Sequence, residues 1–469
     1  MAGPTHFIPV SQLLARGRAE GFIVCTEHGR NVNWLEFAQR TAAIARALSQ
    51  RDERRWLIHC EQPVNFAASL LAVLHSERRA VVAPNLQRGM IEQLRPSYDG
   101  VLGDGPQPML DVRALEPAPF KFSTLAPRAA LIDLFTSGSS GEPKRVEKSL
   151  AQLETEAEVL ESLWGAAIGQ ATMVATVPHH HIYGMLFRLI WPLTAGRPFD
   201  TALCVDPQLL LETLRRVRDA VVVSSPAHLI RLPELIQLES LKPATRWIFS
   251  SGAPLPAATG AEYQRRLGAP PTEVYGSTES GGIAWREQDG SDESAAWQPF
   301  SVVEVKLDPQ GALCVRSPYL ADDAWMTMGD AAELLPDGRF RLKGRMDRVV
   351  KVEGKRISLP QLEHSLRQHP WVTDAAIVPL SGGKEALGAV VVLREPGRAG
   401  EIRDRLIPDL RKYLLERFER VLVPRHWRFL ERMPVDERGK LTAAALAELF
   451  SQPADSREAV GSADDAPVA

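Results

Sequence analysis

The chain has 469 residues, 45% hydrophobic and 24% charged, an ordinary globular usage that argues against wholesale disorder. At about 150 residues per domain, that length suggests roughly three domain-sized units. Lys and Arg number 55 against 58 Asp and Glu, a net charge of −3, so no global field favours coating nucleic acid or an anionic membrane. Any anionic ligand must be held by a local constellation.

Four well-separated cysteines (Cys25, Cys60, Cys204, Cys314) with no C-x-x-C pair argue against a disulfide framework or a zinc module. They predict small core residues in a reducing, cytoplasmic setting. The N-terminal stretch lacks a basic segment followed by a sustained apolar one, so no signal peptide is expected. No apolar run approaches the ~18 residues of a membrane span, and a soluble chain is expected.

In chain order, Asn33 with Glu36 predicts a helix N-cap and its capping-box partner. Phe37, Thr41, Ile44, Ala45 and Leu48 follow at helical spacing. Residues 65–78 read as a second helix, and the AVVAP after them as a buried strand ended by Pro84. Helix-then-strand units at 207–224 and 240–250 continue the alternation, which predicts parallel strands with crossover helices. Composition shifts near residue 344. The stretch 325–355 is rich in Gly, Asp, Lys and Arg, with a hairpin signal at Pro336-Asp337-Gly338. Beyond it come a helix (LPQLEHSLRQHP), two strands (DAAIVPL, ALGAVVVLRE) and a long helix (EIRDRLIPDLRKYLLERFER). The expectation is an α/β fold: a large N-terminal domain of α/β layers over 1–344, a small α+β domain over 345–450, and a disordered tail over 451–469.

The most informative segment is Leu131–Lys148. An apolar run ends at Phe135 and opens into Thr136-Ser137-Gly138-Ser139-Ser140-Gly141-Glu142-Pro143-Lys144. Small residues let a backbone bend around phosphate oxygens, hydroxyls and N–H groups donate to them, and the lysine adds charge. The spacing is not that of G-x-x-x-x-G-K-[ST].

T-S-G-S-S-G-E-P-K resembles the phosphate-loop signature of the adenylate-forming superfamily: AMP-forming acyl- and aryl-CoA synthetases, peptide-synthetase adenylation domains and luciferases. Further segments follow in that family's order, from about residue 30 to 445. Pro178-His179-His180-His181-Ile182-Tyr183-Gly184 is similar to P-L-F-H-x-x-G, which places His181 beside the carboxylate and the α-phosphate. Three neighbouring histidines in an extended segment would point to alternate faces, which argues against a shared metal ion. Ser250-Ser251-Gly252-Ala253-Pro254-Leu255 is similar to the turn against adenine, implying Gly252, Ala253 and Pro254 there. Tyr275-Gly276-Ser277-Thr278-Glu279 resembles Y-G-x-T-E, implying Tyr275 and Gly276 at the adenine, Thr278 on a phosphate or acyl oxygen, and Glu279 as a hard ligand of Mg²⁺. Gly329-Asp330 resembles T-G-D with Met328 in place of threonine, which implies Asp330 on the ribose. Gly344-Arg345-Met346-Asp347-Arg348 resembles G-R-x-D-D, implying Arg345 at ribose or phosphate and Asp347 as the hinge of a mobile small domain. Arg348 departs from the frequent second aspartate. Arg356 is implied as a phosphate contact, and Gln361 replaces a usual glutamate. Gly439-Lys440 resembles the late G-K, implying Lys440 as the lysine that reaches the carboxylate and α-phosphate.

The resemblance implies a ligase that activates an aryl or fatty acid as acyl-AMP and passes the acyl group to a phosphopantetheine thiol. ATP, Mg²⁺ and coenzyme A or a separate acyl carrier protein are the expected cofactors and partners. No D-S-L or G-G-x-S pattern stands near the C-terminus, and Gly382-Gly383-Lys384 lacks the serine, so a carrier on this chain is not expected. The compact length resembles the small ligases of fatty-acid-like or aryl-polyene pathways that prime carrier proteins. Acid-pocket residues are expected around His181–Gly184, Ser224–His228, Ser250–Gly252 and Ser280–Ile283. An adenylate-forming enzyme with a non-thiol acceptor, or a non-catalytic acyl-adenylate-binding module, stands as the alternative.

Overall fold

A computed structural model describes residues 7–137, 143–346, 349–352, 355–380, 386–394, 399–418, 420–434 and 443–451. The fold is mixed α/β with a large N-terminal part and a smaller C-terminal one. Two compact units divide the chain: Met1–Val305 with Val315–Met326 and Pro336–Phe340, and Lys306–Cys314 with Thr327–Leu335 and Arg341–Ala469. No described helix is long and apolar enough to cross a membrane.

The large unit is built on two sheets. The nine-stranded sheet runs Gln298–Pro299, Gly281–Glu287, Thr272–Ser277, Thr245–Ser251, Ala220–Ser224, Thr172–Ala175, Phe199–Leu203, Ile23–Glu27, Arg30–Asn33. Its middle is parallel, from Thr272–Ser277 to Ile23–Glu27, as the helix–strand alternation predicts. The six-stranded sheet runs Leu110–Asp111, Gly100–Gly103, Arg55–His59, Arg79–Val82, Leu131–Ser137, Pro143–Ser149, parallel except for its last pair. From that last strand the chain enters the helix Leu150–Ile168, started by a Ser149–Gln152 capping box. Trp164 on this helix meets Phe249, Trp285, Phe300 and Trp191 edge-on or tilted, tying it to the nine-stranded sheet.

The predicted helix at 65–78 is Pro63–His75, followed by the strand Arg79–Val82. Two local readings change. Asn33 does cap the helix Trp34–Ser49, accepting from Glu36 N at 2.9 Å, but the Glu36 carboxylate pairs with Arg30 at 2.7 Å and Arg40 at 3.3 Å, so it is no capping-box partner. At 240–250 only a single 3₁₀ turn, Leu238–Leu241, precedes the strand Thr245–Ser251. All four cysteines are buried and free.

In the small unit, Val372–Leu380, Ala386–Leu393 and His426–Leu430 form a three-stranded sheet. Leu362 and Leu366 of the helix Leu359–Arg367, with Leu406, Leu410 and Leu414 of the helix Ala399–Leu415, share its core with Trp427. Of the expected tail 451–469, Ser451 ends the helix Ala443–Ser451, and 452–469 lie outside the described residues.

Candidate active site

Thr136 and Ser137 are strand rather than loop. They pair with Lys144 and Pro143 in an antiparallel hairpin; Gly138, Ser139, Ser140 and Gly141 lie outside the described residues. The base of the hairpin is fixed by charge: buried Asp133 accepts from Arg79 at 2.8 Å and Arg145 at 3.1 Å, and both arginines also bond Glu147. The hairpin thereby aims Lys144 at the end of strand Thr272–Ser277, where its Nζ donates to Glu279 Oε1 at 2.8 Å. Burial raises the Glu279 carboxyl, but the Lys144 bond and a backbone N–H outweigh it and leave the group below its ordinary range, hence ionised. An ionised, half-buried carboxylate is the hard oxygen donor Mg²⁺ takes beside phosphate and water, so this residue fits that ion.

Lys148, one strand turn beyond, carries no signal in the motif itself. Its ammonium is buried and donates at 2.7 Å to the carbonyls of both Glu279 and Tyr319, pinning the segment that presents Glu279. Burial lowers its pKa against the pull of Glu156 and Glu279. Glu273 is a second residue that motif reading passes over. Its buried carboxylate accepts from Leu255 N at 2.8 Å, from Arg286 and from Gln288, which clamps the Ser250–Leu255 turn beside strand Thr272–Ser277. Gly252, Ala253 and Pro254 form the exposed part of that turn. The Tyr275 ring packs on Trp297 at 5.4 Å and Phe340 at 6.1 Å, and Thr278 sits half-buried in the turn before Glu279.

The three histidines lie in a turn, not an extended segment, and their rings touch in succession at 5.8 and 4.8 Å. His179 is buried with Nε2 2.9 Å from Cys60 O, while His181 is half-buried and its carbonyl accepts from Met185 N. Gly184 is required by contact: a Cβ there would stand 2.0 Å from Pro178 O. Fully buried Arg188 then holds the segment by donating to the carbonyls of Val177, Thr201 and Ala202.

In the small unit, Asp330 and Arg345 lie on the strands Met326–Leu334 and Phe340–Arg345, 3.7 Å apart. Arg356 lies on the strand Lys355–Ser358; Asp347 and Lys440 lie outside the described residues.

A cavity of ≈ 40 Å³ opens beside Gly276 and Ser277. Ile182, Tyr183, Ser251, Gly281 and Gly282 line it, inside three of the four expected stretches. Ser224–His228 takes no part, and Glu156, Leu186 and Phe187 join instead. Phe187 and Leu186 follow from the helical continuation of the His181 segment, whereas Glu156 comes from a helix that no site motif marks.

This arrangement matches a known family. The AMP-binding enzyme model matches residues 104–323 and the AMP-binding enzyme C-terminal domain model residues 361–440. The chain belongs to this adenylate-forming superfamily. It is 27% identical to luciferin 4-monooxygenase of Luciola mingrelica over 352 residues, covering 68% of this chain and 63% of that relative's length. It is 29% identical to 4-coumarate–CoA ligase of Rhodobacter capsulatus (65% and 73% covered) and 27% identical to D-alanine–D-alanyl carrier protein ligase of Staphylococcus haemolyticus (67% and 70%). ATP-bound MatB of Rhodopseudomonas palustris shares the fold, with a TM-score of 0.76 at 20% identity over 94% of this chain and 98% of that one.

Proposed function

We propose that the chain is an ATP-dependent acid–thiol ligase. The observation that carries this reading is the meeting of Lys144 with Glu279, 2.8 Å apart across 135 residues, beside a cavity lined by the same strand end. A carboxylate oxygen of the acid attacks the α-phosphorus of ATP, the bond to the β-phosphate oxygen breaks, and pyrophosphate leaves. A thiol then loses its proton and attacks the acyl carbonyl, and AMP departs.

Two anions must approach in the first step, so fixed positive charge is the main requirement. Lys144 and the residues Thr136–Gly141 hold the triphosphate, and Tyr275, Gly276 and the 252–254 turn receive the adenine. Asp330, with Arg345 and Arg356, serves the ribose and phosphates. His181 and Thr278 orient the acid carboxylate, and Lys440, carried by a lid domain over 345–450 that turns about Asp347, neutralises the transferring group. Mg²⁺ on Glu279 would supply further charge neutralisation on the triphosphate.

The cavity favours a compact acid, aromatic or short, over a long alkyl chain. Coenzyme A or a separate carrier protein is the acceptor, in line with the coenzyme A and carrier-protein ligases among the relatives. Buried free cysteines and a thiol acceptor suit the reducing cytoplasm. The test is pyrophosphate–ATP exchange across benzoates and fatty acids, followed by addition of coenzyme A or carrier protein. Acid-dependent exchange and a thioester are expected. ATP binding without exchange for any acid would overturn the proposal in favour of a binding module. Exchange with no thioester would point to a non-thiol acceptor.

A further inference from the structure

The Glu156 side chain enters the acid cavity from the helix Leu150–Ile168 and is 7% exposed. Its Oε1 accepts from Gly282 N at 2.7 Å; Oε2 accepts no hydrogen bond among the described residues. The carboxylate lies flat on the glycine pair of strand Gly281–Glu287. A Cβ at Gly281 would come within 3.1 Å of Oε2, and one at Gly282 within 3.0 Å of Oε1. Gly281 moreover has φ +67, where a side chain is strained. The two glycines are the cradle that admits a carboxylate at this depth.

Nothing in the adenylation chemistry needs this group. Glu279 presents its carboxylate to Lys144, whereas Glu156 lines the cavity together with Gly281, Gly282 and the Tyr183 and Phe187 rings, which lie 4.8 Å apart. The buried Lys148 attracts it but gives its hydrogen bonds to the Glu279 and Tyr319 carbonyls. Burial pushes the Glu156 carboxyl up, opposed by Gly282 N–H and Lys148, and Oε2 is the acceptor that this carboxyl offers to a group entering the cavity.

Building on the ligase reading, we infer that Glu156 is the specificity-determining residue of the acid pocket: it selects compact acids whose far end carries an O–H or N–H donor and rejects acids that end in a second carboxylate. A donor on the substrate completes the bonding of Oε2, an acid lacking it leaves that oxygen buried and unpaired, and a second anion meets like charge.

The experiment measures kcat/KM for pyrophosphate exchange with matched pairs, 4-hydroxybenzoate against benzoate and 5-hydroxypentanoate against pentanoate, and with terephthalate. Wild type and Glu156→Gln are compared. In wild type the hydroxylated member of the better-used pair is expected to lead by at least about tenfold, with terephthalate inert. In Glu156→Gln that lead shrinks several-fold and terephthalate gains activity. The ratio within a pair is unaffected by a general loss of active enzyme, so a merely structural role would leave it unchanged. Equal use of both members by wild type overturns the inference without reference to any variant, and so does an unchanged ratio in Glu156→Gln. Absence of exchange with every acid overturns the ligase reading itself, and this inference with it.

Discussion

Two lysines four residues apart on one strand do different work. Lys144 is largely exposed and its pair with Glu279 lies at the surface, where ion pairs contribute roughly 0–1 kcal/mol. Lys144→Ala is therefore expected to change urea-denaturation stability by less than about 1 kcal/mol, while pyrophosphate exchange falls by roughly 10²–10³. A large stability loss with intact exchange would show the pair to be structural. Lys148 is the reverse case. Lys148→Met strands the Glu279 and Tyr319 carbonyls and removes the cation nearest Glu156, so a loss of roughly 3 kcal/mol is expected in the same denaturation assay. Unchanged stability would contradict the pinning role. Sequence marked Lys144 because it sits in a glycine-rich motif; Lys148 and Glu273 went unmarked because their partners lie far along the chain, the carbonyls of Glu279 and Tyr319 131 and 171 residues from Lys148, and Leu255 N and the Arg286 and Gln288 side chains 18, 13 and 15 residues from Glu273.

Among the elements, the helix Pro63–His75 shows what burial costs. His75 is buried, its Nε2 has no hydrogen bond among the described residues, and its ring meets Phe122 edge-on. Burial lowers its pKa to about 4 from 6.5, so the native state holds it neutral. Stability from this group is complete above about pH 6.5 and is lost as pH falls toward 4, by up to about 3 kcal/mol. His75→Phe is expected to flatten that part of the urea midpoint–pH curve; superimposable acid limbs would refute it. Helices and parallel strands were legible because apolar spacing and Pro/Gly punctuation are local. The histidine turn was not, because the bend is imposed by Gly184 packing under Pro178 O and by Arg188 reaching three carbonyls. Glu36 likewise reads as a capping-box residue until Arg30 and Arg40 take its carboxylate.

For the whole molecule, the order of the motifs along the chain pointed to the family, whose models match residues 104–323 and 361–440. Composition placed a boundary near residue 344, whereas the compact units interleave, with Lys306–Cys314 and Thr327–Leu335 in the smaller one. The strands Glu304–Leu307, Ala312–Arg316, Met326–Leu334 and Phe340–Arg345 pair in sequence order as one four-stranded sheet, a pairing that composition does not register. The ligase account assigns the two half-reactions to different residues. Lys440→Ala should lose exchange while keeping ATP affinity within a few fold. Asp347→Pro should keep exchange and lose thioester formation. Equal loss of both half-reactions in Asp347→Pro would remove the hinge from the account.

The central claim is that a carboxylate oxygen attacks the α-phosphorus. An acid labelled with ¹⁸O in both carboxylate oxygens, turned over with ATP and the thiol acceptor, tests it by mass spectrometry of the nucleotide. The account requires AMP carrying one ¹⁸O per thioester formed. Unlabelled AMP, or label recovered in inorganic phosphate alongside ADP, would contradict it.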